Sequence, residues 1–286
     1  MTLSSVISQF RRSARAIREA PGLRGLKPIW LLLRAPYKWI LSLSSQGVEV
    51  TLARSVRVVM PPRFCAGNWE DYEIQEVQRV ARWLDENPRG LVLDVGCSVG
   101  IYCLIALSRS SESEVIGFDP DLSSLKATQN ICTFVDKKRL HVIHGFVSNR
   151  QENPKSAEEA IQSTGAALSR SSLTGELGTT EYRFLENESD RSIPVYALDK
   201  LWTNGYPDRP ILVKSDVEGA EQLVLEGAKA LLNRRNTTLA LSIHPPALPT
   251  HGHSPATVRR LLEDAGYQIE ILAIDHEEHW WCERKK

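Results

Sequence analysis

The chain has 286 residues, enough to bury a substantial core as one large α/β domain or as a domain with appendages. Lysine plus arginine and aspartate plus glutamate both total 35, so the balanced charge gives no global sign of a nucleic-acid partner. Five cysteines (Cys65, Cys97, Cys103, Cys132 and Cys282) form no CxxC pair and have no histidine at zinc spacing, which favours a reduced, cytoplasmic setting over a disulfide-linked secreted one.

Charge is unevenly spread. Residues 1–48 carry Arg11, Arg12, Arg15, Arg18, Arg24, Lys27, Arg34 and Lys38 against Glu19 alone, a local balance of +7. Bulky apolar runs, Ile29-Trp-Leu-Leu-Leu33 and Trp39-Ile-Leu41, lie among these cations, so residues 1–47 read as a basic amphipathic extension. Three uses of it stay open: packing on the domain, peripheral contact of residues 1–45 with an anionic membrane, or organelle targeting. It cannot span a bilayer, because Arg34, Pro36 and Lys38 break the apolar run well short of the roughly 20 residues a spanning helix needs.

The remainder, 48–286, reads as one domain. Alternation over 48–59 predicts a short hairpin. A helix is expected over 71–87, with Ile74, Val77, Val80, Ala81 and Leu84 on one face and Pro88-Arg-Gly90 as its stop. Strand 91–95, helix 101–109, strand 114–119, helix 122–131 and strand 140–147 follow. Such a βαβ rhythm predicts a mostly parallel sheet with helices on both faces. A polar insertion at 148–192, with a short strand at 182–184, is too long for a plain connection and reads as a lid or acceptor-binding loop, or else as a surface excursion. The rhythm resumes with strand 193–197, a helical turn at 198–202, strand 211–216, helix 220–232 and strand 238–243. A helix capped by Ser254 and ended by Gly266 then leads to an antiparallel hairpin of 268–273 and 279–282.

Two segments carry chemistry. In Leu91-Val-Leu-Asp-Val-Gly-Cys-Ser-Val-Gly100 a strand ends at Asp94 and turns into a helix through Gly96, Cys97, Ser98 and Gly100. The two glycines are expected to omit Cβ atoms that would collide with a ligand lying across the turn. The turn lacks the GxGxxG of a dinucleotide site, which makes S-adenosylmethionine the better cofactor. Asp119, ending the next strand, is placed to accept both ribose hydroxyls; its alternative role is to open the turn at Pro120 and cap the following helix. Phe118 or Phe146 would flank the adenine. The second segment is Val213-Lys-Ser-Asp-Val-Glu-Gly-Ala-Glu221. Alternation puts Lys214 and Asp216 on one side of a strand, joined by Glu218 if the backbone stays extended. A buried Lys–Asp pair that merely orients the loop is the other reading.

The Lys-x-Asp-Val-Glu-Gly-Ala-Glu block, met by Lys214, Asp216, Val217, Glu218, Gly219, Ala220 and Glu221, resembles that of the FkbM-type methyltransferases, enzymes of the class I methyltransferase fold. Leu225-Glu-Gly227, Ala197-Leu-Asp199 and Asn130 extend the resemblance over roughly residues 72–272. The family's usual Ala-Asn in the first turn is replaced by Cys97-Ser98, its Glu-Pro by Asp119-Pro120, and a frequent glutamate of the fifth strand by Ser242. The resemblance implies methyl transfer from S-adenosylmethionine to a hydroxyl of a sugar, glycolipid or polyketide-like small molecule. Lys214, Asp216, Glu218 and His244 are its candidate catalytic residues, the last three as bases. Asp216, Glu218 and Glu221 could supply hard ligands to magnesium, and His251 and His253 could join His244 about a transition metal, but no metal ligand is assigned. Two rivals remain, a non-catalytic cofactor-binding module docked through the basic extension and a nucleotide-dependent oxidoreductase, which the missing GxGxxG disfavours.

Overall fold

The computed structural model describes residues 3–20, 27–65, 67–152, 155–173, 193–202 and 205–284. Two helices, α1 (Leu3–Glu19) and α2 (Lys27–Ser42), precede an antiparallel hairpin of β1 (Val48–Leu52) and β2 (Val56–Met60). α1 packs its inner face on this hairpin and the loop after it. Ser8 Oγ accepts from the Glu49 amide at 3.1 Å, and buried Arg11 donates its Nε to the Cys65 carbonyl at 3.1 Å. Among the described residues no helix is long and apolar enough to cross a membrane.

The domain proper begins with α3 (Ile74–Glu86) and alternates β3 (Leu91–Val95), α4 (Ile101–Arg109), β4 (Glu114–Asp119), α5 (Leu122–Ile131) and β5 (Leu140–His144). After β6 (Phe146–Val147), α6 (Ala157–Arg170), β7 (Val195–Tyr196) and α7 (Leu198–Leu201) come β8 (Ile211–Ser215), α8 (Glu221–Glu226), α9 (Lys229–Leu232) and β9 (Thr237–Ile243). α10 (Pro255–Asp264), β10 (Tyr267–Ile274) and β11 (Glu278–Arg284) close the fold. The sheet order is β10-β11-β9-β8-β3-β4-β5, and only β11 runs against its neighbours. This is the mostly parallel sheet with a C-terminal antiparallel hairpin that the strand rhythm predicts.

β3 is buried along its whole length, as a central strand covered on both faces must be. Alternation sends Val92 and Leu212 into a core under α3, α4 and α5, while Leu93 and Val213 enter a second core under α8, α9 and α10. Asp94 pairs in register with Gly117 on one side and Lys214 on the other, so the carboxyl ends of β4, β3 and β8 lie level. That alignment brings the two sequence motifs to one edge.

Three expectations change. The strand foreseen over 140–147 splits at Gly145, whose φ of +152° lets the Pro194 carbonyl approach where a Cβ would be only 2.6 Å away, and β6 turns to pair with β7. The helix expected over 220–232 is two short ones broken at Gly227, where a Cβ would come within 2.0 Å of the Ser148 carbonyl. The polar insertion contains α6, started by a Ser156–Glu159 capping box. α6 buries Ala157, Ala160, Thr164 and Leu168 and ties to β5 through a 2.9 Å bond from the His144 amide to Thr164 Oγ1. α6 thus covers the flank of the sheet. The strand expected at 182–184 lies outside the described residues.

Candidate active site

The glycine turn is stapled to the neighbouring strands. The amides of Gly96 and Cys97 both donate to the Phe118 carbonyl, at 2.9 and 3.0 Å, and the Asp216 amide donates to the Val95 carbonyl at 2.9 Å. Gly96 has φ +79° and Gly100 φ +80°. A Cβ on Gly96 would sit 1.8 Å from the Asp216 carbonyl oxygen, and one on Gly100 2.6 Å from Thr128. Both glycines thus make room for the protein's own backbone and side chains, not for a ligand as the sequence suggested. Buried Cys97 places its Sγ 3.6 Å from Thr128 Oγ1.

Beyond the turn opens a cleft of about 270 Å3. Gly96, Ser98, Phe118, Asp119 and Phe146 line it from the β3, β4 and β6 side, facing Asp216, Val217, Glu218 and Ala220 from the end of β8 and Tyr72 from the segment before α3. Asp94, Cys97, Gly100, Lys214 and His244 do not reach its wall. Asp94 lies beneath it, accepting from Cys103 Sγ at 3.1 Å, with burial pushing its carboxyl up to about 6. These five lie behind the lining residues.

Asp119 is held on both oxygens. Oδ2 accepts from the Ser98 amide at 2.9 Å and Oδ1 from the Asp121 amide at 2.8 Å. Burial raises its carboxyl to about 7 against the lowering effect of those amides. Each oxygen keeps a further lone pair, so the group can still accept from a ligand in the cleft. The helix cap is Asp121, whose side chain accepts from the Ser123 amide.

Opposite lies a dense charged cluster. Lys214, 2% exposed, donates to Ser242 Oγ at 2.8 Å and lies 3.5 Å from Glu76 and 3.6 Å from Asp216. Its ammonium also stands 5.1 Å from the Tyr102 ring centroid. Burial opposes the charge, but Glu76, Asp216 and Glu73 prevail and raise the lysine above its usual range. The side chain replacing the family's strand glutamate, Ser242, is thus a neutral partner, and helix α3 supplies the carboxylate.

His244 binds Glu221 through Nδ1 at 2.6 Å and Glu277 through Nε2 at 2.7 Å. Burial works against its charge, yet the two carboxylates lift it to about 10. A doubly bonded imidazolium has no lone pair for a proton, which corrects its expected role as a base. His279 is likewise raised to about 9, against burial, by its 2.5 Å bond to Glu76. Asp216 lies 3.6 Å from both Lys214 and His244, and burial raises its carboxyl although both cations oppose this. Glu218 reaches the cluster, 3.6 Å from His244, through a left-handed turn at φ +51° and not through continued extension.

Ligand atoms of Asp216, Glu218 and His244 lie within 4.8 Å of one another, as do those of Glu73, Asp216 and Glu277. Glu221 is not part of the first group; its Oε1 accepts from His244 and from the Gly219 amide. Among the described residues no such group unites His244 with His251 or His253. Tyr72, Glu73, Glu76, Glu277 and His279 were not foreseen. Glu73 and Glu76 fall at the spacing of the apolar face with Val77, Val80 and Leu84, and a charge on a buried face was the available signal. Glu277 and His279 had none.

A seven-stranded sheet with one reversed strand, a glycine turn after its central strand and an acid closing the next define a class I methyltransferase fold. Within that class the chain belongs to the FkbM methyltransferase family: the model described as the Methyltransferase FkbM domain matches residues 94–269, more than half of the chain. No curated protein matches it. Among solved structures it is similar to an FkbM methyltransferase from Methylobacillus flagellatus KT, at 17% identity and a TM-score of 0.43 over 68% of this chain, spanning 43% of that protein's length. It is also similar to a precorrin-6y C5,15-methyltransferase from Geobacter metallireducens GS-15, at 10% identity and a TM-score of 0.43 over 75% of this chain and 88% of that one. A third is M. capricolum TrmK in complex with S-adenosylhomocysteine, at 13% identity and a TM-score of 0.36 over 72% of this chain and 65% of that one.

Proposed function

We propose that the chain transfers a methyl group from S-adenosylmethionine to a hydroxyl of a sugar, glycolipid or polyketide-like small molecule. The observation that carries this reading is that Asp119 and Asp216 open into one cleft with the Gly96–Ser98 turn on its wall. An adenosyl group fits this donor set. Asp119 would receive the ribose hydroxyls, and Phe118 and Phe146 would supply apolar walls for the base. When bound, the cofactor supplies a methyl group already activated by positive sulfur.

The acceptor hydroxyl has to be aligned and to lose its proton as it attacks. Asp216 is placed to take that proton, and Glu218 on the same rim is its alternate. Lys214 and the His244 cation hold Asp216 in place and moderate its burial. A positioned base of this kind contributes about 10²–10⁴-fold in rate. Calorimetry with S-adenosylhomocysteine and with NAD tests the cofactor, and binding of NAD alone would end the proposal. Asp216→Asn or Glu218→Gln should abolish methylation of a glycan and lipid extract by methyl-labelled cofactor while sparing S-adenosylhomocysteine affinity. Retained methylation in both would remove the assigned base.

A further inference from the structure

α2 carries an apolar stripe that the fold leaves open. Ile29 is 47% exposed, Leu32 79%, Leu33 46% and Trp39 64%, and Leu43 just past the helix end is 46%. At about 100° per residue these positions share roughly one third of the helix circumference. The other side of α2 is the one that packs: Leu41 is fully buried, and the Tyr37 ring lies 5.9 Å from that of Phe10 on α1. Single exposed apolar residues are ordinary, but five on one stripe, with an indole among them, form a continuous surface.

We propose that this stripe seats the protein on an anionic lipid bilayer, with α2 lying in the plane of the headgroups. Charge selects that occupant. Residues 1–48 hold eight cations against one acid; on α1 Arg12 and Arg18 are exposed, Arg12 lying 3.5 Å from Glu49, while Arg11 and Arg15 face Glu70 and Asp71. A second copy would set two such basic segments against each other, whereas a bilayer rich in acidic headgroups neutralises them. A helix with a bulky apolar face and a tryptophan, in a segment rich in cations, is suited to the boundary between acyl chains and headgroups. Tight packing of α1 on the β1–β2 hairpin makes the seat rigid. Arg15 lies 3.3 Å from Glu70 and 3.1 Å from Asp71, so the bilayer side of the molecule is braced against the segment that brings Tyr72 into the cleft.

The test uses the full chain and sedimentation with vesicles of phosphatidylglycerol mixed into phosphatidylcholine, compared with phosphatidylcholine alone. Binding should be about tenfold stronger to the anionic vesicles and should fall as salt rises from about 0.05 to about 0.5 M. L32E/W39E should lose at least about tenfold in vesicle binding while S-adenosylhomocysteine affinity and thermal stability stay unchanged. Failure to sediment with anionic vesicles would overturn the proposal, as would equal binding to neutral ones. So would light scattering that shows a dimer in solution which L32E/W39E converts to monomer, because a second copy would then be the occupant.

Discussion

Asp119 is set by its own surroundings: burial lifts the carboxyl from its ordinary 3.8 to about 7, while two backbone amides pull the other way. A ribose that donates hydroxyls is received best by the ionised form, so binding must first remove the proton wherever the pH lies below that value. The affinity for S-adenosylhomocysteine should therefore rise between about pH 5.5 and about pH 7.5 and level off above, a slope that calorimetry across that range would read. Asp119→Asn should flatten the profile and weaken binding by about tenfold or more, since charge-assisted hydrogen bonds are worth roughly 1.5–3 kcal/mol each. A flat wild-type profile would remove Asp119 from the binding site. Gly96 makes the complementary case, because its positive φ and the 1.8 Å approach of the Asp216 carbonyl leave no place for a methyl group. Gly96→Ala must push apart the ends of β3 and β8. It should cost roughly 3 kcal/mol or more by denaturant unfolding and weaken S-adenosylhomocysteine even where the protein still folds.

At the scale of elements, β8 and α3 are joined by charge as much as by packing. Lys214→Met would leave Glu76, itself 2% exposed, with only His279 as a cationic partner among the described residues. Breaking a buried pair from one side costs roughly 3–5 kcal/mol, whereas Lys214→Met with Glu76→Gln should cost clearly less than the two single changes added together. Denaturant titration of the four proteins measures that coupling, and simple additivity would contradict it. The His244 clamp has a definite sign. Its pKa is higher folded, at about 10, than free, at about 6.5, so its stabilisation is complete below about pH 6.5 and is lost as pH rises through about 10. Thermal melts between about pH 7 and about pH 10 should decline more steeply in the wild type than in His244→Gln. The same elements mark how far the sequence could be read. β3, α4, β4 and α5 were legible to the residue, because a doubly covered strand is a plain apolar run and Gly100 and Pro120 mark the turns into its helices, although the cap of α5 is Asp121 and not Asp119. α6 was not, since its weak apolar face gains its stability from β5, and neither was the Glu277–His279 side of the cluster, which a reversed strand brings to His244 and Glu76 from the far end of the chain. Asp199 shows the limit of motif reading in another way. Its carboxylate accepts from the amides of Ala230 and Leu231 and from the Tyr206 hydroxyl, so this part of the family pattern caps α9 and takes no part in the cleft.

For the whole molecule, the question is whether the first 45 residues and the domain are separable. The wall of the cleft proposed for the cofactor is built from β3, β4 and β6, and among the described residues α1 and α2 contribute nothing to it. The opposite wall is different, because Tyr72 follows the segment that α1 grips through Arg11 and Arg15, and the Trp69 ring, 5.6 Å from Tyr72, sits in that segment. Removing residues 1–45 would also strip α1 from the β1–β2 hairpin, leaving the amide of Glu49 without Ser8 and the carbonyl of Cys65 without Arg11. The first core also loses Ile7 and Leu41, but the second core and the α3, α4 and α5 side chains of the first remain, so the truncated chain should fold. Its midpoint of thermal unfolding should fall by roughly 5 °C, in line with a loss of about 2 kcal/mol from a domain of this size. S-adenosylhomocysteine affinity should change less than about threefold, because the residues assigned to it keep their supports, while binding of any acceptor that packs on Tyr72 should weaken more. Calorimetry on the truncated and full-length proteins separates these outcomes. An unfolded truncated chain would instead make α1 part of the core, and the basic extension would then be a structural element first and a membrane contact second.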